Sequence, residues 1–497
     1  VRTPLLCIES SGLGRDTATA MSAEDLRSPG SPSVRDALRY RPLFVLLGAA
    51  VALRIATLAL YFPGVVWHAD SARFALVLPG VHRIFDDAWH PAGYSMFLGM
   101  LRLVSDQVWF TVAAQHLLGL LAGTALYLAV TRLGAPRWLG LIPAAVYLFS
   151  GDVLFFEHVL LSEQLALALT ALALSAAILG LRPKVDPRWL AASGALATGA
   201  WLTRTPFVVV VFAVISVAAL GVTGRRSRAT AGGAAALGAA VVFGLYLLAF
   251  QVSGGRYLGL WDMTGWQLYG RVAPFAQCDQ FDVPKGAETL CESTPPADRP
   301  APFHYTQEST STAVREFGYG SPQAGGLLSD FAIRAILAQP RDYASAVISD
   351  LARYVRKGSP FAATSSSFLG PEWTFASRPA LYEAITRHQL AAVYDGTKVS
   401  APGAHLLGDY QSVMRVHGIL IAVLLLLTPA GAIWGRGPGR LGAALFGSTS
   451  FLLFLGPVLA SSYDFRYGIP PATLLACAGT LSGYALWMRV TERRQSR

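Results

Sequence analysis

Between Val65 and Pro91, just after its first apolar stretch, the sequence collects His68, Asp70, His82, Asp86, Asp87 and His90. Carboxylates and imidazoles placed between lipid-compatible segments lie at a membrane surface, and Asp70 there can take a proton from a hydroxyl. The plainer reading of Asp70 is a solvated loop acid. Further along, Glu157, His158 and Glu163 bring acid to the start of another apolar segment, where Glu163 also reads as an interfacial acid reaching for water. Arg204 and Arg466 fall at the outer ends of apolar segments. A guanidinium in that position grips phosphate oxygens through paired, charge-assisted hydrogen bonds, or else snorkels to lipid headgroups.

These residues need a frame, and the composition supplies one. The chain has 497 residues, 53% hydrophobic and 14% charged, with a mean hydropathy of +0.44; a soluble protein carries about a quarter charged residues. The apolar runs are rich in Leu, Ala and Val without two-residue alternation, so they predict an all-α polytopic membrane protein rather than a β-barrel. About ten spans can be drawn: Pro42 to Phe62, Val108 to Val130, Trp138 to Phe149, Leu160 to Leu181, Trp189 to Leu202, Phe207 to Val222, Ala231 to Gln251, Val416 to Trp434, Leu441 to Ala460 and Ile469 to Met488. The third and fifth are short for a full crossing.

The net charge of +10 does not form one basic face, so no nucleic acid partner is expected. The Arg residues cluster instead in alternate connections: Arg132 to Arg137, Arg182 to Arg188, Arg225 to Arg228, Arg436 to Arg440 and the tail from Arg489. By the positive-inside rule these connections and both termini are cytoplasmic, in a plasma (inner) membrane protein, and the His/Asp loop lies outside. The expected organisation is a disordered leader over 1–41, starting at Val1 or Met21, and a membrane module over 42–252 containing the external loop 63–106. An extracytoplasmic cap over 253–412, C-terminal helices over 413–489 and a tail over 490–497 complete it. Within the loop, His90 to Leu103 reads as a helix lying in the interface, and the cap is patterned as helix from Leu327 to Arg356.

In the cap, Cys278 and Cys291 are close enough in sequence for a local disulfide if the region is extracytoplasmic, and are otherwise two free thiols. The aromatic run Tyr257, Trp261, Trp266 and Tyr269 can stack on sugar faces or anchor the cap at headgroup level. His68, Asp70, His82, Asp86, Asp87, His90 and Glu163 are ligand types suited to a divalent cation, Mg²⁺, Mn²⁺ or Zn²⁺. Their spacings match no metal motif, so no cofactor is required by the sequence, and His82 with Asp86 reads as a solvated i,i+4 pair.

Several pieces in order resemble the GT-C superfamily of membrane glycosyltransferases, the group of the protein O-mannosyltransferases, the lipid A aminoarabinose transferases and the mycobacterial arabinofuranosyltransferases. They are the acidic first loop His68-Ala69-Asp70; His90-Pro91-Ala92-Gly93-Tyr94, similar to His-Pro-Pro-Xaa-Tyr; and Leu161-Ser162-Glu163-Gln164-Leu165, similar to Thr/Ser-Glu-Pro-Leu. Thr203-Arg204-Thr205-Pro206, like Thr-Arg-Pro, and Arg466-Tyr467-Gly468-Ile469-Pro470, like Arg-Tyr-Xaa-Xaa-Pro, follow. The resemblance covers the chain from about Pro42 onward. It implies a GT-C-like bundle that moves one sugar from a polyprenyl-phosphate donor to a hydroxyl of an envelope glycan, lipid or protein, with inversion. Asp70 then matches the catalytic base and Glu163 the supporting acid, which orients the base, holds a cation or binds the acceptor. His68, His90, Tyr94, Glu157, Arg204, Trp266, Arg466 and Tyr467 are the expected substrate-binding residues. Ser71 stands where the protein mannosyltransferases carry the second acid of an Asp-Glu pair, which points toward the bacterial lipid-carrier branch.

Two other readings share the spans. A transporter or flippase of lipid-linked saccharide needs polar groups in broken helices at mid-membrane depth, and apart from Arg54 the sequence marks few. A non-catalytic partner in envelope assembly would keep the fold and not need Asp70.

Overall fold

The computed structural model describes residues 34–66, 69–77, 83–356, 374–376 and 380–495; His68 and His82 lie outside them. The backbone divides into two units, Val1–Val45 and Leu46–Arg497, and the described part of the first is helical.

All ten expected apolar segments are helical, but among the described residues seven helices are long and apolar enough to cross a membrane, or eight if the bent pair Arg137–Phe149 and Gly151–His158 is one span: Tyr40–Leu60, Val108–Arg132, Ser162–Leu181, Arg225–Ser253, Ala404–Trp434, Gly439–Ala460 and Phe465–Gln495. Their outer faces carry exposed Leu, Ile and Val, such as Ile55, Leu245 and Leu426. Chain of this kind satisfies its backbone internally and presents apolar surface to lipid. It is a multi-pass membrane protein.

The remaining three expected spans are short for local reasons. Arg137–Phe149 runs into Gly151–His158 across a bend of 50°, because Ser150 leaves the helix and its Oγ accepts from Val153 N at 3.3 Å. An N-cap serine starts a new helix and so fixes the break. Pro187–Thr203 is 17 residues long and packs between its neighbours through small residues. A Cβ on Gly194 would collide with the Ala235 carbonyl, and one on Gly238 with the Ala191 carbonyl, the close backbone approach that small residues allow in membrane bundles. The apolar stretch after it begins anew at Thr205, since Pro206 has no N–H to donate to the Leu202 carbonyl and its ring would clash there if the first helix continued, and Arg204 is extended at φ −154°, ψ 122°.

The helix expected after the first loop is present as Gly93–Arg102, burying Tyr94, Ser95 and Leu98 and exposing Met100. Parts of the hydrophilic region join several cores, Val347, Tyr354 and Phe375 packing with the membrane helices. Residues 263 to 335 pack around Trp266, Tyr269, Tyr305 and Phe331, where the Tyr269 and Phe331 rings meet edge to face with centroids 5.7 Å apart. Cys278 and Cys291 are joined in a disulfide at the margin of this core, Cα atoms 5.8 Å apart. Leu390, Val393 and Tyr394 instead join Val66, Val108 and Leu160 beside the first loop.

The Thr264–Val272 and Gly325–Ala338 helices cross where a Cβ on Gly265 would collide with the Gly325 carbonyl. Gly265→Val therefore overpacks the crossing and costs about 1–3 kcal/mol. Proteolysis of the 263–335 region in detergent-solubilised protein checks this, with faster cleavage expected than in wild type.

Candidate active site

Four helix ends converge on the site. Asp70 is in the first turn of Ala69–Leu76 and Glu163 in the first turn of Ser162–Leu181. Arg204 follows the C-terminus of Pro187–Thr203, and Arg466 opens Phe465–Gln495, its amide bonded to Asp464 Oδ1 at 2.9 Å. Helix N-termini carry partial positive charge, so acids in their first turns and anions at their ends are both favoured.

Arg466 is the hub. Its Nη1 donates to Asp70 Oδ2 at 2.9 Å and lies 3.6 Å from Glu163 Oε1, while its Nε donates to Asp464 Oδ2 at 3.2 Å. Arg204 Nη2 approaches the same Glu163 oxygen at 3.2 Å, Nη1 donates to Ser162 Oγ at 3.1 Å, and the guanidinium lies over the Tyr467 ring, 5.0 Å from its centroid. Glu163 is buried, whereas Asp70 keeps 20% of its side chain exposed, enough to meet a substrate. The two arginines thus tie Asp70 and Glu163 into one ion-pair network.

Asp70, His90, Arg204, Arg466 and Tyr467 all line a cavity of about 450 Å³. One flank is apolar, with Val208, Val209, Leu260, Met263 and Phe303. A second, larger cavity of about 780 Å³ shares Arg73, Ala88 and Trp89 with it. His90 is oriented by Asp87, Nδ1 to Oδ2 2.9 Å. Burial pushes the Asp87 carboxyl up, but His90, Arg73 and the Trp89 amide outweigh it and hold it below the usual carboxylate range. Arg73 lies over Trp89, 5.9 Å from the ring centroid, and Trp89 stacks on Tyr319 with centroids 5.9 Å apart.

Three expected substrate-binding residues lie elsewhere. Tyr94 is buried, its ring edge against Phe74 and its hydroxyl donating to Gln115 Oε1 at 2.7 Å, so it braces the helix that carries Asp70. Trp266 is the centre of the 263–335 core and donates to the Ser321 carbonyl at 2.7 Å, leaving no face for a sugar. Glu157 is fully buried, held by Arg54 Nη2 at 2.7 Å and His116 Nδ1 at 2.8 Å. His116 Nε2 in turn meets His158 Nδ1 at 3.2 Å, and His158 Nε2 reaches the Tyr61 carbonyl at 2.6 Å. Gly119 leaves room for this carboxylate, since a Cβ there would collide with it.

This buried cluster joins the two chain segments that lead into the site. Val65 N donates to the His158 carbonyl at 2.8 Å, so residues 61–65, which lead to Asp70, are tied to the turn that leads to Glu163. His116 carried no legible signal, because it is a single imidazole in an apolar run. Gly259, at φ +70°, packs against the His90 carbonyl, a backbone contact that no side-chain pattern announces. Among the described residues no group of three or more His, Cys, Asp or Glu stands close enough to hold a metal ion. Asp70 and Glu163 face guanidinium groups.

No protein-family model matches the chain, and no curated protein matches it. Among solved structures it is similar to the archaeal oligosaccharyltransferase AglB from Archaeoglobus fulgidus in complex with an inhibitory peptide and a dolichol-phosphate. That match has 12% identity over 92% of this chain and 52% of the other, TM-score 0.42. The apo form of the A. fulgidus oligosaccharyltransferase gives 13% identity, the same coverages and a TM-score of 0.41. ArnT from Cupriavidus metallidurans bound to undecaprenyl phosphate gives 14% identity over 89% of this chain and 78% of the other, TM-score 0.33. The chain spans about half the length of the archaeal structures. Likeness at this level assigns neither activity nor residue roles.

Removing Glu157 leaves Arg54 buried without its partner, so Glu157→Ala is expected to cost about 3–5 kcal/mol. The double replacement Arg54→Met with Glu157→Met removes both charges and is expected to recover much of that loss, as read by thermal unfolding in detergent.

Proposed function

We propose that the protein is a glycosyltransferase of GT-C type that moves a single sugar from a polyprenyl-phosphate donor to a hydroxyl of an envelope glycan, lipid or protein at the outer membrane surface. The observation that carries the reading is the meeting of Asp70, Arg204 and Arg466 in one cavity with an apolar flank. A lipid phosphate needs all three features: cations for its oxygens, an apolar path for its chain, and a base beside its anomeric carbon.

The donor phosphate binds the Arg204 and Arg466 guanidinium groups by charge-assisted hydrogen bonds. Arg466 then gives up its bond to Asp70, and the freed carboxylate takes the proton of the acceptor hydroxyl. The acceptor oxygen attacks the anomeric carbon while the bond from that carbon to the phosphate oxygen breaks. Polyprenyl phosphate leaves, its charge held by the two arginines, and Asp70 later returns its proton to water. A single displacement inverts the anomeric centre. Glu163, behind both guanidinium groups, fixes their spacing, and His90 and Tyr467 complete the walls. The basic connections support a cytoplasmic location for both termini and an extracytoplasmic site.

The transporter reading gains one observation, the broken helix pair ending in Glu157 and His158 with Arg54 and His116 around it. Those groups bond to one another and line neither cavity, which favours a structural role for them.

Single-turnover transfer from a panel of radiolabelled polyprenyl-phosphate sugars tests the proposal. Asp70→Asn is expected to lose at least about a hundredfold, the size of a missing general base. Transfer that survives Asp70→Asn unchanged overturns the assignment, and movement of lipid-linked sugar across a vesicle bilayer without transfer replaces it with the transporter.

A further inference from the structure

One wall of the cavity of about 450 Å³ is made by Gly456, Pro457, Ala460, Ser461, Arg466 and Tyr467, where the Gly439–Ala460 helix gives way to Phe465–Gln495. The turn between them is irregular, so its backbone groups need partners from outside it. One helix of the hydrophilic region, Pro340–Tyr354, takes three groups at this junction. The Tyr343 hydroxyl donates to the Leu459 carbonyl at 2.9 Å, Asp350 Oδ2 accepts from the Tyr463 amide at 3.0 Å, and the Tyr354 hydroxyl donates to the Asp464 carbonyl at 2.9 Å. Side chains close the same contact: the Tyr354 and Tyr463 ring centroids are 4.7 Å apart, and the Arg353 guanidinium covers the Tyr463 ring at 3.9 Å. Asp350 is fixed in turn by Arg271, a buried guanidinium on Thr264–Val272. The residue so gripped, Asp464, is the one that accepts from both the amide and the Nε of Arg466.

We propose that the Pro340–Tyr354 helix positions the phosphate-binding arginine, with Tyr354 and Asp350 as positioning residues that act through Asp464 on Arg466. The inference rests on the glycosyl-transfer reading and deepens its account of the donor site. In the resting protein Arg466 is held from two sides, by Asp70 at Nη1 and by Asp464 at Nε. Once a donor phosphate takes the place of Asp70, Asp464 still fixes Nε, and the backbone of Asp464 is set by Tyr354. A turn loosened at Tyr354 gains freedom that phosphate binding must remove again, at a cost in affinity. Tyr354 is buried and lines neither cavity, so its effect on a bound phosphate runs through Arg466.

The test is equilibrium binding of undecaprenyl phosphate to the purified full chain as wild type, Tyr354→Phe, Arg353→Ala, Tyr484→Phe, Arg466→Gln and the double variant Tyr354→Phe with Arg466→Gln. Tyr484 lies on the same helix as Arg466 but near its other end, where its hydroxyl donates to the Gly134 carbonyl at 2.9 Å. Tyr484→Phe therefore loses a comparable bond without touching the turn. Tyr354→Phe is expected to weaken binding about three- to tenfold, the range of one lost hydrogen bond. Arg353→Ala, which uncovers Tyr463, shifts affinity the same way, and Tyr484→Phe leaves it unchanged. With Arg466→Gln already in place, Tyr354→Phe changes affinity by less than about twofold, because the residue it acts through is gone. Equal affinity in wild type and Tyr354→Phe, or the same loss with and without Arg466, overturns the inference. Single-turnover sugar transfer by the same preparations separates the two readings. An Arg466-dependent loss of phosphate affinity without any transfer keeps the positioning role and overturns glycosyl transfer, whereas transfer with an Arg466-independent loss keeps the enzyme and overturns the positioning role.

Discussion

The ion pair between Arg466 and Asp70 is the interaction on which the rest of the site depends. A carboxylate 2.9 Å from a guanidinium is a poor base, because the positive charge favours its ionised form and opposes taking up a proton. The same guanidinium is a ready phosphate ligand. In the proposed reaction one arginine thus holds the base in reserve and binds the leaving group, and the two roles compete for its donors. The consequence is ordering: the carboxylate becomes a competent base when a donor phosphate takes its partner.

Such an arrangement requires the helix ends to be held firmly, and the fold spends its polar residues on that task. Asp464 takes both the backbone and the side chain of Arg466. Arg204 reaches Ser162 and Glu163 because Pro206 ends the preceding helix where it does. The Glu157 cluster ties the approach to Asp70 to the approach to Glu163. Buried ion pairs of this kind contribute little net stability but are costly to break singly, which suits a scaffold that must keep four chain segments in register.

The fold class was legible in the sequence because burial in lipid leaves an unmistakable apolar pattern, and all ten apolar segments are helices. The number of crossings was not, since a 13-residue helix bent at Ser150 and a 17-residue helix packed by glycines read like spans in a hydropathy pattern. Asp70, Glu163, Arg204 and Arg466 stood out as charges at the ends of apolar runs, and they meet. Trp266 stood out in an aromatic run, Tyr94 by the resemblance and Glu157 as an acid before an apolar segment, but all three are turned inward, because the direction a side chain takes depends on tertiary packing that residue type does not encode. The larger cavity was invisible in sequence, its walls coming from residues 72–77, 83–89, 257, 320–322 and 385–389.

Competition for Arg466 is measured most directly by the affinity of undecaprenyl phosphate for wild type and for Asp70→Asn. Replacing the carboxylate by an amide removes the competitor for the guanidinium, so the account predicts that Asp70→Asn binds the lipid phosphate more tightly. The gain should be about tenfold, in keeping with about 1.5–3 kcal/mol for a hydrogen bond to a charged group. Equal or weaker binding by Asp70→Asn would mean that phosphate and Asp70 do not contend for Arg466, and would contradict the account.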